Sequence, residues 1–258
     1  MYQVAVNASV KAIVLDIEGT ICSISFVKEV LFPYFISRLP KVLGRYPYPL
    51  TVENIPNDLT ENEELMYHIL LKFQPEYRSS YELLDKYIRN LVSMDVKQPV
   101  LKELQGFVWQ VGYHNKDLKA PLYPDAIENI VKWSKEGKKL YIYSSGSVRA
   151  QKLLLGHVDA ANNPDADSGI LNLNKYISDY FDTINVGSKV ESKSYSKIID
   201  IIGHSPEEIL FLTDNVNELK NALHVGINSI IVVRDGNLEL SKDDKENYKL
   251  IYSFNNLV

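Results

Sequence analysis

Residues 12–15 (Ala12, Ile13, Val14, Leu15) form an apolar run with no polar alternation. That pattern belongs to a strand buried on both faces of a parallel sheet, where crossover helices cover both sides. Comparable runs recur at 139–143 (KLYIY), 209–212 (ILFL) and 229–233, residues 181–186 (FDTINV) read as a further strand, and helical patterns occupy 126–135, 148–157, 192–202 and 218–224. Gly137 closes the first of these helices, and Ser205, Pro206 and Glu208 supply an N-cap, a first-turn proline and a capping-box acid for a short helix or turn. Strand and helix in alternation predict an α/β fold with a doubly wound, mainly parallel sheet.

One long block breaks the alternation. Residues 21–35 are rich in apolar and aromatic side chains; Phe26, Val30 and either Pro33 or Tyr34 share a helical face that suits core packing or the lining of a substrate pocket. Gly44, Pro47, Pro49 and Pro56 mark 41–56 as an irregular connection. Three helices follow. Thr60 with Glu63 caps Leu65, Met66, Ile69, Leu70 and Phe73; Ser79 with Glu82 precedes Leu84, Tyr87, Ile88, Leu91 and Val92; Pro99 opens a helix with Leu101, Leu104, Val108 and Val111. A parallel crossover needs only about a dozen residues, yet the next strand-like run begins at Lys139. The block is therefore an insertion. Residues 1–23 and 119–258 read as the α/β core, and 24–118 as a helical cap domain placed over the carboxyl end of the first strand, hinged on both sides.

Composition narrows the class of protein. With 258 residues, 45% hydrophobic and 24% charged, the chain has the balance of a soluble globular protein with a large core. A formal net charge of −5 gives no basic footprint, so no nucleic-acid partner is expected. No basic region precedes a long apolar core at the N-terminus, and no run approaches the ~20 apolar residues of a membrane span. The single cysteine, Cys22, excludes an intrachain disulfide and suits a small buried side chain in a reducing compartment. A cytoplasmic location is expected, with the nucleus also open, and nothing demands more than a monomer. The five histidines are scattered, which disfavours zinc. Residues 162–169 (NNPDADSG) read as a polar loop, and 242–247 as a solvated charged segment.

The chemistry gathers where the strands end. Asp16 and Glu18 follow the first apolar run, with Gly19 allowing a sharp turn. A carboxylate is ionised at neutral pH and needs no base to attack phosphorus, so Asp16 is a candidate nucleophile. Two acids and an anionic phosphate repel unless a divalent cation joins them, and hard oxygen ligands favour Mg²⁺. Glu18, beside a like charge, is the candidate proton donor to a leaving oxygen. Ser144, Ser145 and Gly146 follow the second run at a helix N-terminus, a setting suited to phosphate. Lys189, with Lys193 as a competitor, follows the third and offers charge neutralisation; Asp214 follows the fourth and completes the Mg²⁺ shell. Each alone has an ordinary structural reading: a polar turn, a helix cap, a solvated lysine, an Asx turn. Four strand ends carrying compatible groups point instead to phosphoryl chemistry on a small phosphorylated molecule.

In that order, DxEGT, serine, lysine and acid, the chain resembles the haloacid-dehalogenase-like phosphatases. DIEGT, FVKEVLFPY, YIYSSGSVRAQKLLLGH, KVESKSY and ILFLTDN narrow the resemblance to the enolase-phosphatase (acireductone synthase) family, from about Lys11 to Phe254. The resemblance implies a haloacid-dehalogenase-like core and a reaction of methionine salvage. There, 2,3-diketo-5-methylthiopentyl 1-phosphate is enolised and dephosphorylated to 1,2-dihydroxy-3-keto-5-methylthiopentene. It further implies Mg²⁺ on the side chains of Asp16 and Asp214, with Glu18 contributing through its carbonyl, and the phosphate held by Ser144, Ser145 and Lys189. Glutamate at position 18 departs from the superfamily's usual aspartate, and its longer reach suits a substrate carbon as well as a leaving oxygen. Phe107, Trp109 and Tyr113 suit an apolar methylthio tail or a packed helix interface. A phosphatase for another small phosphoester, and a phospho-acceptor receiver domain, are the competing readings.

Overall fold

The computed structural model describes residues 3–96, 98–161 and 163–258. Met1, Tyr2 and Lys97, which fall within the expected domain ranges, and Asn162, where the expected polar loop begins, lie outside the described residues. The strands are β1 (Ala12–Leu15), β2 (Lys139–Tyr143), β3 (Val158–Asp159), β4 (Ile170–Leu171), β5 (Asp179–Phe181), β6 (Ile209–Thr213), β7 (Asn228–Val232) and β8 (Leu250–Ile251). Among the described residues, six strands form one parallel sheet in the order β5-β2-β1-β6-β7-β8, and β3 pairs with β4 antiparallel. All of β1 and β6 is buried, which is why their sequences show no alternation. The chain lays strands outward from β1 on one side and then on the other, so its direction reverses between β1 and β6. Open α/β sheets bind ligands at the carboxyl ends of strands flanking such a reversal.

Two compact units make up the chain: one takes in the residues up to Phe26 with Lys119–Val258, the other is Val27–Leu118. The second is helical, with α1 (Phe32–Leu43), α2 (Glu61–Leu71), α3 (Tyr81–Ser93) and α4 (Pro99–His114) packed on Phe35, Leu39, Tyr67, Ile88 and Leu104. A π-helical turn, Val27–Leu31, precedes α1. Its wider turn adds a residue, so the buried stripe runs Leu31, Phe35, Leu39, Leu43 while Val30 is 41% exposed, one position out of phase with the expected face. The helix also continues through Pro40 to Leu43, and the irregular connection starts only at Gly44. Thr60 and Glu63 make both capping-box bonds, at 2.9 and 3.4 Å. Ser80, not Ser79, caps α3 by accepting from Leu83 N, because the Ser79 hydroxyl donates back to Glu76 O.

The first unit adds α5 (Pro124–Lys135), α6 (Val148–Gly156), α7 (Ser192–Ile202), α8 (Val216–His224) and α9 (Lys242–Asn247). Its third sheet strand lies earlier than expected. Asp182 ends β5 by accepting from Ile184 N and Asn185 N on one oxygen, both at 2.9 Å, and the chain turns there, leaving Ile184 exposed and burying Val186 instead of extending the strand. Two-residue β8 is too short to announce itself as an apolar run, and the charged segment 242–247 becomes a helix capped by Ser241. No helix among the described residues is long and apolar enough to cross a membrane.

A half-buried ion pair closes this unit. Arg234, on the segment after β7, binds both oxygens of Asp125 in the first turn of α5 at 3.0 and 2.9 Å, and Asp125 also accepts from Ser253 Oγ and Phe254 N. Burial works to raise the Asp125 pKa, but its bonds to Arg234 and Phe254 outweigh that and hold it below the usual aspartate value. A depressed carboxylate contributes stability that is complete above the unfolded-state pKa of about 4 and is lost as pH falls through the folded value. Removing one partner strands the other, at a cost of about 1–3 kcal/mol. Asp125→Asn should therefore lower the urea midpoint at pH 7 and flatten the acid limb of stability against pH, both read from urea titrations.

Candidate active site

Asp16 follows β1 directly and Asp214 follows β6. The register pairs Leu15 with Leu212, which puts the two acids on neighbouring strand ends across the reversal. Asp16 N donates to Leu212 O at 3.0 Å, so the ladder runs on past the strand. The Asp16 carboxylate is buried, and its Oδ1 accepts from Ile17 N at 2.8 Å and from Lys189 Nζ at 2.5 Å. Lys189 Nζ also lies 2.8 Å from Glu218 Oε2, which accepts from Thr213 Oγ1 at 2.7 Å.

Electrostatics here is lopsided. Burial alone would depress Lys189, but the charges of Asp16 and Glu218 overcome it and hold the ammonium above the ordinary lysine value. Asp214 and Glu218 are each pushed up to about 7, by burial first and the Asp16 charge second. Three acids thus face one ammonium in a buried setting, a charge imbalance that a divalent cation would relieve.

Lys189 reaches the site by a route the sequence did not suggest. It stands well past the end of β5, on a loop pinned where Tyr143 OH donates to Gly187 O at 2.9 Å and Tyr195 OH donates to Lys189 O at 2.7 Å. Its competitor Lys193 is exposed. Ser144 ends β2 buried, its Oγ accepting from Gly146 N at 3.2 Å, whereas Ser145 is exposed. Ser147 and Asp182 cap α6, accepting from Ala150 N and Val148 N. Sequence reasoning passed over Glu218, which it took only as the start of a helix. The signal was its position four residues past Asp214 in the first turn of α8, one helical turn beyond the strand end.

Glu18 sits half-buried on a tight turn in which Thr20 N, Ile21 N and Cys22 N all donate to Ile17 O, and Gly19 N donates to Cys22 O. Burial first and the Glu18 charge second push the Cys22 thiol up to about 12, so it is a buried, unreactive thiol. Gly19 adopts φ +74°, and a Cβ there would lie 2.4 Å from Asp214 Oδ2 and 2.8 Å from Asn237 Oδ1. Only glycine leaves room for those oxygens to converge on the turn. Among the described residues, no three His, Cys, Asp or Glu side chains stand together at metal-binding reach. A cation here would therefore take two carboxylates with backbone and water oxygens, a set that suits Mg²⁺, and the residues fit it.

A family model for haloacid dehalogenase-like hydrolases matches residues 10–226. Enolase-phosphatase E1 of Candida tropicalis is 44% identical over 251 residues, covering 96% of this chain and 99% of that one. Its counterpart from Komagataella phaffii is 45% identical over 245 residues, covering 95% and 97%. The chain belongs to the enolase-phosphatase family of haloacid dehalogenase-like hydrolases. Among solved structures, the UTR4 protein of Saccharomyces cerevisiae matches with a TM-score of 0.77 at 42% identity, over 95% of this chain and 98% of that one.

For this enolase-phosphatase family member the Gly19 turn makes a direct test. Gly19→Ala forces a side chain onto the Asp214 carboxylate at an unfavourable φ, so activity should fall at least about a hundredfold. The fold, read by circular dichroism, should survive, because the strain of about 1–2 kcal/mol is confined to a turn.

Proposed function

We propose that this chain converts 2,3-diketo-5-methylthiopentyl 1-phosphate to 1,2-dihydroxy-3-keto-5-methylthiopentene and phosphate; the name of its relatives, Enolase-phosphatase E1, supports the pairing of an enolisation with a dephosphorylation. The observation that carries the phosphatase half is the Asp16–Lys189 contact, which ties down Oδ1 of a buried carboxylate and leaves Oδ2 for the phosphorus. In this reading Oδ2 attacks, the bond from phosphorus to the leaving oxygen breaks, and Glu18 gives that oxygen a proton. Water then cleaves the aspartyl-phosphate, releasing phosphate and restoring Asp16. Lys189 and the loop of Ser144 and Ser145 hold the phosphate oxygens while charge develops on them. Asp16 and Asp214, with the backbone carbonyl of Glu18, are the residues that would hold Mg²⁺, whose chemistry is to neutralise carboxylates and phosphate brought together.

Enolisation comes first: Glu18, on its own turn beside Gly19, takes the proton from the carbon next to a carbonyl, the C–H electron pair becomes the C=C bond, water protonates the carbonyl oxygen, and the proton kept on Glu18 is the one later given to the leaving oxygen. Every residue assigned to the phosphate chemistry lies within 1–23 and 119–258.

The test is to follow phosphate release and acireductone absorbance together on the diketone phosphate, with Mg²⁺ or excess chelator, for the parent and Asp16→Asn. The expected result is Mg²⁺-dependent release with acireductone formed, and a loss of at least about a thousandfold in the variant. Release without acireductone, or comparable turnover of sugar phosphates, would leave a phosphatase of another small phosphoester.

A further inference from the structure

Asn237, on the segment that follows β7, has a side chain whose orientation the surroundings dictate. Its Nδ2 donates to Gly19 O at 2.9 Å and to Val232 O at 3.2 Å. Both partners are carbonyl oxygens, so the amide nitrogen must face them and the flipped arrangement would set acceptor against acceptor. Oδ1 is thereby fixed as well. It is buried, has no hydrogen-bond partner in the protein, and converges with Asp214 Oδ2 on the space that a Cβ at Gly19 would fill. The next carbonyl along the turn, Thr20 O, is held by Arg234 Nε at 3.2 Å, so the same short segment grips the Glu18–Thr20 turn at two successive oxygens.

A buried acceptor left unsatisfied costs about 1–3 kcal/mol. Placed beside a carboxylate oxygen, it makes two acceptors with nothing between them to donate. A water donating to both satisfies them, and a cation on Asp214 would fix such a water in its shell. We propose that Asn237 is a positioning residue for the cation, its Oδ1 accepting from a water of the coordination shell beside Asp214 while its Nδ2 holds the turn that carries Glu18. This rests on the assignment of Mg²⁺ to Asp16 and Asp214.

Titration calorimetry of the metal-stripped full chain with Mg²⁺ alone, without substrate, provides the test, alongside melting in chelator. Asn237→Ala should bind Mg²⁺ about tenfold or more weakly, the effect expected of outer-shell partners. Asn237→Asp keeps an acceptor but cannot donate to the two carbonyls, so it should melt lower in chelator yet bind Mg²⁺ at least as tightly as the parent. Parental affinity in Asn237→Ala overturns the proposal. So does an Asn237→Asp variant as weak as Asn237→Ala, since the loss would then come from a loosened turn. Asp214→Asn separates the two levels. Abolished binding there with unchanged binding in Asn237→Ala defeats only the proposal, whereas parental binding in Asp214→Asn defeats the metal assignment and the proposal with it.

Discussion

The contact between Lys189 Nζ and Asp16 Oδ1, buried at the carboxyl end of β1, is the interaction on which the site depends. Asp16, Asp214 and Glu218 converge where little water can screen them, and a cluster of that kind would protonate or come apart without a cation among them. Lys189 supplies one positive charge, fixed by Glu218 on one side and by the loop that Tyr143 and Tyr195 pin on the other. The remaining negative charge is what a divalent cation would neutralise, so that an anionic phosphoryl group could approach. Preorganised charge in a buried site acts without reorganising at the moment of reaction, which is why such an arrangement suits phosphoryl transfer.

Topology makes that convergence cheap to specify. Because the strand order reverses beside β1, the loops after β1 and β6 emerge side by side, and residues far apart in the chain become neighbours through register alone. The tight turn after Asp16 then has to be held. Gly19 supplies the backbone conformation, Asn237 and Arg234 grip its carbonyls, and Asp125 anchors Arg234 to the first turn of α5. A half-buried ion pair whose partners each make further bonds fixes a single arrangement of that segment.

Much of this was legible from residue order. The uninterrupted apolar runs of β1, β2 and β6 fix the parallel sheet, and the acids, serine and lysine after them mark one edge, because strand ends in such folds carry the chemistry. What escaped had physical causes. The π-helical turn before α1 shifts a helical stripe by one residue without any compositional sign, and Ser79 and Ser80 compete for one cap. The segment 181–186, with its Phe, Ile and Val spaced like a strand, hid a turn in which Asp182 accepts from the backbone of Ile184 and Asn185. Glu218 looked like an ordinary first-turn acid, which favours the helix dipole whatever else it does. Asn237 and Arg234 lie beyond every motif, and only the three-dimensional arrangement brings them to Gly19 and Thr20.

The central claim is that Asp16, held by Lys189, is the atom source of the attack on phosphorus. Its most direct measurement is an acid-quenched single turnover on the diketone phosphate, followed by peptide mass analysis. The account predicts covalent phosphate on the peptide that contains Asp16, rising and decaying at rates that match phosphate release. Phosphate released at the full rate with no covalent phosphate at Asp16, or with the label on another residue, would contradict it.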